Sequence, residues 1–77
     1  MRSASEIGFG ERAIISDIDS THPSHQRILE MGFTPGQEIE LVNVSFFKDP
    51  VAFSVRGCLV ALRKNDADCI KIKWPHS

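Results

Sequence analysis

The segment Arg27–Val42, RILEMGFTPGQEIELV, contains the clearest local signals for the fold. Its first part predicts a short helix that ends at Gly32, because glycine adopts positive φ without a Cβ penalty. Pro35 and Gly36 predict a tight turn, since proline presets φ at one turn position and glycine accepts positive φ at the next. Alternating polar and apolar residues over 38–41 then predict a strand with one buried face. The segment is therefore interpreted as helix, turn and strand.

The rest of the chain is predicted to consist mainly of strands. The helix is expected to begin at about Ser24 as the N-cap, with Thr21 before Pro23 as a competing start, and to end near Met31. The strand after the turn changes its apolar parity near Val42 and Asn43, which indicates a β-bulge. The five strands are predicted over residues 12–18, 37–46, 51–56, 58–63 and 69–74, with turns at Gly57 and over 64–68.

Short strands with tight connections favour a closed sheet. We expect a mainly β protein: a small SH3-like β-barrel of about five strands with one short helix after the first strand. A length of 77 residues predicts one domain, 1–77, with residues 1–5 frayed. The apolar fraction of 42% and charged fraction of 25% are ordinary for a folded soluble protein. The sequence has neither an apolar run of about 20 residues nor the apolar core of a secretory signal. Cys58 and Cys69 are expected to be reduced thiols, buried or half-buried, in a cytoplasmic protein.

Three segments in this order resemble the FeoA family (ferrous iron transport protein A). They are Arg27–Gly36 (RILEMGFTPG), Phe46–Pro50 (FFKDP) and Ala61–Ile72 (ALRKNDADCIKI), and the resemblance extends over about residues 5–73. Two positions depart from the family pattern: Lys48 stands where glycine is frequent, and Ile28 where leucine is common.

The resemblance implies an SH3-like domain that acts without catalysis and requires no cofactor. FeoA-like proteins are cytoplasmic accessory components of bacterial ferrous iron uptake. They are thought to act on the cytoplasmic G-domain side of the permease FeoB, which makes a FeoB-like protein the expected partner. Similar domains also occur at the C-terminus of metal-dependent repressors. The residues themselves contain no phosphate loop, zinc-protease motif or serine elbow, and Asp66 and the other loop carboxylates are expected to be solvated.

Partner contact is then expected from exposed side chains near the hairpin and on the helix. Phe46 and Phe47 are adjacent on a strand and point to opposite faces, so at least one of them should be partly exposed beside Lys48. The alternative is that Phe47 caps the end of the barrel. Arg27 and Glu30 on the helix form a second candidate surface, and a structural ion pair is the alternative interpretation of Arg27.

Two other functions remain open from the sequence. His22 and His25, with a cysteine, could form a weak site for Fe or Zn in a metal-sensing or metal-carrying domain, although two solvated histidines are the simpler interpretation. A small nucleic-acid-binding barrel is the second alternative, suggested by Lys71 and Lys73 beside Trp74. The formal net charge of −1 argues against it, because phosphate recognition needs a basic face.

Overall fold

The computed structural model describes residues 2–44 and 49–74. Short strands dominate these residues, and each of the three short helices lies between two strands in chain order. No helix among them is long and apolar enough to cross a bilayer. In chain order the elements are β1 Arg2–Ser3, a 3₁₀ helix Ala4–Glu6, β2 Arg12–Ile18, α1 His25–Glu30, β3 Glu38–Val44, β4 Val51–Val55, β5 Cys58–Leu62, α2 Lys64–Ala67 and β6 Ile70–Lys73.

The strands form one antiparallel sheet in the order β1-β6-β2-β3-β4-β5. The last strand lies inside the sheet, where Ile72 is opposite Arg2 on one side and Ile15 on the other. The mainly β class is as predicted, with six strands in the described residues where about five were expected. The strand pairing of these residues does not close the sheet, because β1 and β5 are its two edges, but the arrangement is consistent with the predicted SH3-like barrel.

The prediction that residues 1–5 are frayed is wrong for the part of that segment that is described. Arg2 and Ser3 pair with β6, and Ala4 is only 1% exposed. Pairing satisfies the backbone groups of β1, while a methyl side chain fits into the core. The pairing of β1 and the burial of Ala4 both depend on strands that are distant in sequence. The small polar residues of this segment therefore did not indicate either of them.

The turn after α1 is built as a proline-glycine turn. Gly32 follows the helix with φ of 108°, and its amide donates to the Leu29 carbonyl oxygen at 3.1 Å. The Gln37 amide donates to the Thr34 carbonyl oxygen at 3.0 Å across the turn, in which Gly36 has φ of 90°. The bulge predicted in β3 is confirmed by a register shift between Leu41 and Asn43.

The core fixes α1 against the sheet. A six-residue helix is too short to be stable alone, so its position depends on docking. Ile28 and Phe33 are fully buried, and the Phe33 ring packs edge-to-face on Phe53 with centroids 6.0 Å apart. Each such buried side chain contributes about 1.5–3 kcal/mol. These contacts hold the helix in place and thereby determine the position of Arg27.

Candidate partner-binding surface

An ion pair joins the two α-helices. Arg27 Nη2 in α1 donates to Asp66 Oδ2 in α2 at 2.7 Å, and the same nitrogen is 3.4 Å from Ser24 Oγ. The Asp66 side chain is 10% exposed, whereas that of Arg27 is 62% exposed. The expectation that Asp66 is a solvated loop acid is therefore wrong. Its segment forms a helical turn that buries the carboxylate beside Arg27 rather than a loop open to solvent.

A second polar contact joins α2 to the β3–β4 hairpin. Asp49 Oδ1 accepts the backbone N–H of Lys64 at 3.0 Å and lies 3.9 Å from Arg63 Nη1. This carboxylate therefore holds the end of the hairpin at the first residue of α2. The predicted contact residues Phe46, Phe47 and Lys48 directly precede Asp49 in sequence and lie outside the described residues.

The hairpin end, α2 and α1 are thus connected in series through Asp49 and Asp66. The predicted contact residues of the hairpin and of the helix lie on segments that these two carboxylates link. The sequence did not indicate this connection, because Arg27 and Asp66 are 39 positions apart. Two acids in a polar turn carry no local sign that one of them is buried.

The two predicted contact residues of α1 differ in their surroundings. Arg27 is committed to Asp66, which is the structural alternative that the sequence left open. Glu30 is exposed and accepts a hydrogen bond only from Gln26 Nε2, at 3.3 Å, among the hydrogen bonds of the described part of the chain. An exposed pair of this kind is weak and easily exchanged for another partner. Glu30 is therefore the more available of the two.

The predicted histidine pair lies at the start of α1. His22 Nδ1 accepts the backbone N–H of Ser24 at 3.0 Å, so in the neutral ring the proton is on Nε2. A metal ion bound at Nε2 would move that proton to Nδ1, against the Ser24 amide. Metal binding through His22 therefore requires this turn to rearrange. Within residues 2–44 and 49–74, no three His, Cys, Asp or Glu side chains are grouped to hold a metal ion.

The two thiols have different environments, and both are free. Cys69 is buried and its Sγ donates to the Asp66 carbonyl oxygen at 3.0 Å. Burial raises the pKa of Cys69, with a further contribution from the charges of Asp66 and Asp19. Cys58 is exposed at the start of β5, so the expectation that it is buried or half-buried is wrong.

Apolar surface also occurs where the sequence did not place a contact. A cavity of about 350 Å³ lies between the segment after β1 and the sheet, and its lining includes Ile7, Phe9, Leu41 and Val51. Phe9 is 71% exposed, and Leu59 on β5 is 74% exposed. Leu59 and Ala61 are exposed on one face of β5, whereas Leu62 on the other face is buried.

Comparison with known proteins identifies the family. A family model described as the FeoA domain matches residues 3–73. The chain belongs to the FeoA domain family. The resemblance seen in the sequence is thereby confirmed over its whole predicted extent.

Individual relatives agree with this assignment. The chain is 35% identical over 69 residues to an Fe(2+) transport protein A/Fe(2+) transporter FeoB fusion protein of Porphyromonas gingivalis, which matches 90% of this chain and 8% of the fusion protein. The solution structure of iron(II) transport protein A from Clostridium thermocellum superposes with a TM-score of 0.89 at 31% identity, covering 96% of this chain and 46% of that one. The chain therefore spans only a small part of the fused relative and about half of the solved one.

The SH3-like fold is confirmed by a further FeoA structure. FeoA of Stenotrophomonas maltophilia, described as a prokaryotic SH3 domain protein complexed with zinc, has a TM-score of 0.84 at 22% identity. The match covers 95% of this chain and 91% of that one. At this identity the likeness establishes the fold alone.

Proposed function

We propose that this FeoA domain is a non-enzymatic, cytoplasmic accessory component of ferrous iron uptake that acts by contact with the cytoplasmic side of a FeoB-like permease. The observation that carries the proposal is the relative in which an Fe(2+) transport protein A and an Fe(2+) transporter FeoB are one chain. A covalent link of this kind keeps two domains together at an effective concentration of about millimolar. It is useful when the linked domains work on each other. Where they are separate chains, a binding surface must replace the link.

The surface we propose consists of the β3–β4 hairpin and the exposed face of α1. It includes Phe46, Phe47 and Lys48 with Glu30, and Arg27 as the residue that fixes the helix through Asp66. The contacts of Asp49 and Asp66 support this grouping, because they tie the hairpin end to α2 and α2 to α1. A partner that binds next to Asp49 and α1 would therefore meet parts of the chain that these two contacts connect through α2.

We propose no resident cofactor for this role. A weak site for Fe or Zn at His22 and His25 would have to break the hydrogen bond between the Ser24 amide and His22 Nδ1. Titration with Fe²⁺ or Zn²⁺ under anaerobic conditions, compared between the protein and the His22→Ala/His25→Ala variant, tests this directly. Micromolar affinity lost in the variant would instead support a metal-sensing or metal-carrying domain.

The decisive experiment for the proposal is binding of this protein to the purified cytoplasmic domain of a FeoB-like permease from the same host. Retention is measured with and without GTP and with and without Fe²⁺. Specific retention, weakened by Phe47→Ala and by Glu30→Gln, is the expected result. Glu38→Gln is the matched control, because Glu38 is an exposed glutamate on β3 rather than on α1.

The outcomes separate clearly. If Glu30→Gln reduces retention no more than Glu38→Gln does, α1 is excluded as part of the surface. Absence of retention in all four conditions would contradict contact with this domain of the permease.

A further inference from the structure

The strand β5 has one side without a partner among the described residues. Within residues 2–44 and 49–74, Cys58–Leu62 pairs only with β4, and it is one of the two edges of the sheet. The register of this pairing is continuous from Val55 opposite Cys58 to Val51 opposite Leu62. No bulge therefore twists the edge away from an incoming strand.

The hairpin that leads into β5 determines which backbone groups face outward. Arg56 and Gly57 have φ of 53° and 80°, which is the two-residue hairpin loop with positive φ at both positions. The residues that close such a loop, Val55 and Cys58, form a hydrogen-bonded pair, and pairs alternate from there. The N–H and C=O groups of Leu59 and Ala61 consequently point away from β4, toward the open edge.

The exposed side chains of this edge are uncharged. Cys58, Leu59 and Ala61 are exposed, and Leu59 is 74% exposed. Proteins usually protect an edge strand with lysine, proline or a bulge, and β5 contains none of them within its five residues. An unprotected edge with outward backbone groups is a template for strand addition.

Positive charge lies at both ends of this uncharged strand. Arg56 precedes it, and Arg63 and Lys64 follow it. Arg63 is 3.9 Å from Asp49, and Lys64 Nζ is 3.9 Å from Asp68, with the cationic side chains 72% and 56% exposed. Exposed pairs at this distance contribute about 0–1 kcal/mol, so these cations remain able to bind a stronger acidic partner.

The same charges argue against a second copy of this chain as the occupant. Antiparallel pairing of two β5 strands about Val60 would bring Leu59 opposite Ala61 of the other copy, which suits the outward hydrogen bonds. It would also bring the turn residue Arg56 toward Lys64, the first residue of α2, of the other copy. Like charges brought together at an interface are destabilising.

We propose that the β5 edge binds an extended segment of a partner protein by strand addition, and that this segment has an uncharged centre with acidic residues at both ends. Hydrogen bonds to Leu59 and Ala61 supply affinity, and the terminal cations select charge and register. The assignment of this segment to the cytoplasmic part of a FeoB-like permease rests on the proposed function. The edge itself and the chemistry it selects do not.

The first test uses two short synthetic peptides with the same alternating valine-threonine centre, one with acidic ends and one with lysine ends. Amide hydrogen exchange and chemical shifts are followed by NMR in the intact protein. We expect the acidic peptide to slow exchange at the Leu59 and Ala61 amides and to bind at least about tenfold more tightly than the lysine peptide. Unchanged exchange at both amides, or equal affinity for the two peptides, would overturn the inference.

The second test removes one outward donor without removing a bond to β4. Ala61→Pro eliminates an N–H that points to the open edge, a position at which proline is tolerated in edge strands. The variant should fold and lose binding of the acidic peptide. Ala61→Glu, which places a charge on the edge strand that repels the acidic peptide, replaces it if the proline variant does not fold.

Binding of these variants to the permease domain separates the two proposals. If the protein is retained and the Ala61 variants are not, both stand. If the protein and the variants are retained equally, the edge is not the contact and the proposed function is unaffected. If the protein itself is not retained, the proposed function fails at this domain, and the peptide titration alone decides the inference about β5.

Discussion

Replacing Arg27 with methionine should destabilise the domain by leaving a nearly buried carboxylate without its donor. The bond from Arg27 Nη2 to Asp66 Oδ2 is 2.7 Å long, and the Asp66 side chain is 10% exposed. Removing a hydrogen bond to a charged group costs about 1.5–3 kcal/mol. Because the Arg27 side chain is 62% exposed, water replaces part of the lost interaction, and we expect about 1.5 kcal/mol. That is a large fraction of the roughly 3–5 kcal/mol available to a domain of this size.

The assay is urea unfolding followed by fluorescence of Trp74, which packs against the core. Arg27→Met, Asp66→Asn and the double variant form a thermodynamic cycle, in which we expect the double variant to lose less than the sum of the single losses. Arg12→Met is the matched control. Arg12 is also 62% exposed, but it faces Glu40 at 3.6 Å, and that carboxylate side chain is 36% exposed. A loss for Arg27→Met no larger than for Arg12→Met, or strictly additive single losses, would refute the reasoning.

Three further outcomes follow from the geometry of single residues. Gly32→Ala should destabilise the domain by about 1–2 kcal/mol in the same urea assay, because φ at this position is 108°. The cost is conformational rather than steric, since the nearest atoms, at 3.5 Å, leave room for a methyl group. An unchanged unfolding midpoint would contradict this. Iodoacetamide should alkylate Cys58 much faster than Cys69 in the native protein, because Cys58 is exposed and burial raises the pKa of Cys69. The two rates should converge in urea. Equal rates in the native protein would exclude the difference in exposure between the two thiols. Thr21→Val should raise the pKa of Asp19, measured by NMR titration of its carboxyl carbon, because hydrogen bonds from the Thr21 hydroxyl and amide hold that pKa below its ordinary value. The lowered pKa of Asp19 stabilises the folded state at pH values above the ordinary carboxylate pKa of about 3.9, and this stabilisation is lost as the pH falls through the pKa of Asp19 in the folded state. Thr21→Val should therefore lower the free energy of unfolding more at neutral pH than in acid.

The parts of the fold that depend on neighbouring residues could be predicted from the sequence. Arg12–Ile18 is a strand with the predicted bounds, because β-branched residues end abruptly in loop-forming ones. The bulge near Val42 was visible as a change of apolar parity. The turn at Pro35 and Gly36 needs only the backbone preferences of those two residues.

The parts that depend on topology could not be predicted in this way. Two residues, Arg2 and Ser3, are too few to show a strand pattern in the sequence. They form a strand because they pair with β6. The exposure of Leu59 depends on which face of β5 the core covers, and the apolar run over 58–62 does not show this. Asp66 needed a partner 39 positions away to become a buried acid.

The inward position of β6 also bears on how the protein is made. Ile70–Lys73 pairs with β1 on one side and with β2 on the other. The six-stranded sheet therefore cannot form until these residues, near the end of the domain, are available for pairing. A nascent chain that ends before Ile70 has nothing between β1 and β2, and both strands are left with unpaired backbone groups. The domain should therefore fold only after residue 73 has emerged from the ribosome. Until then, the unpaired strands of the partly formed sheet can form non-native pairs.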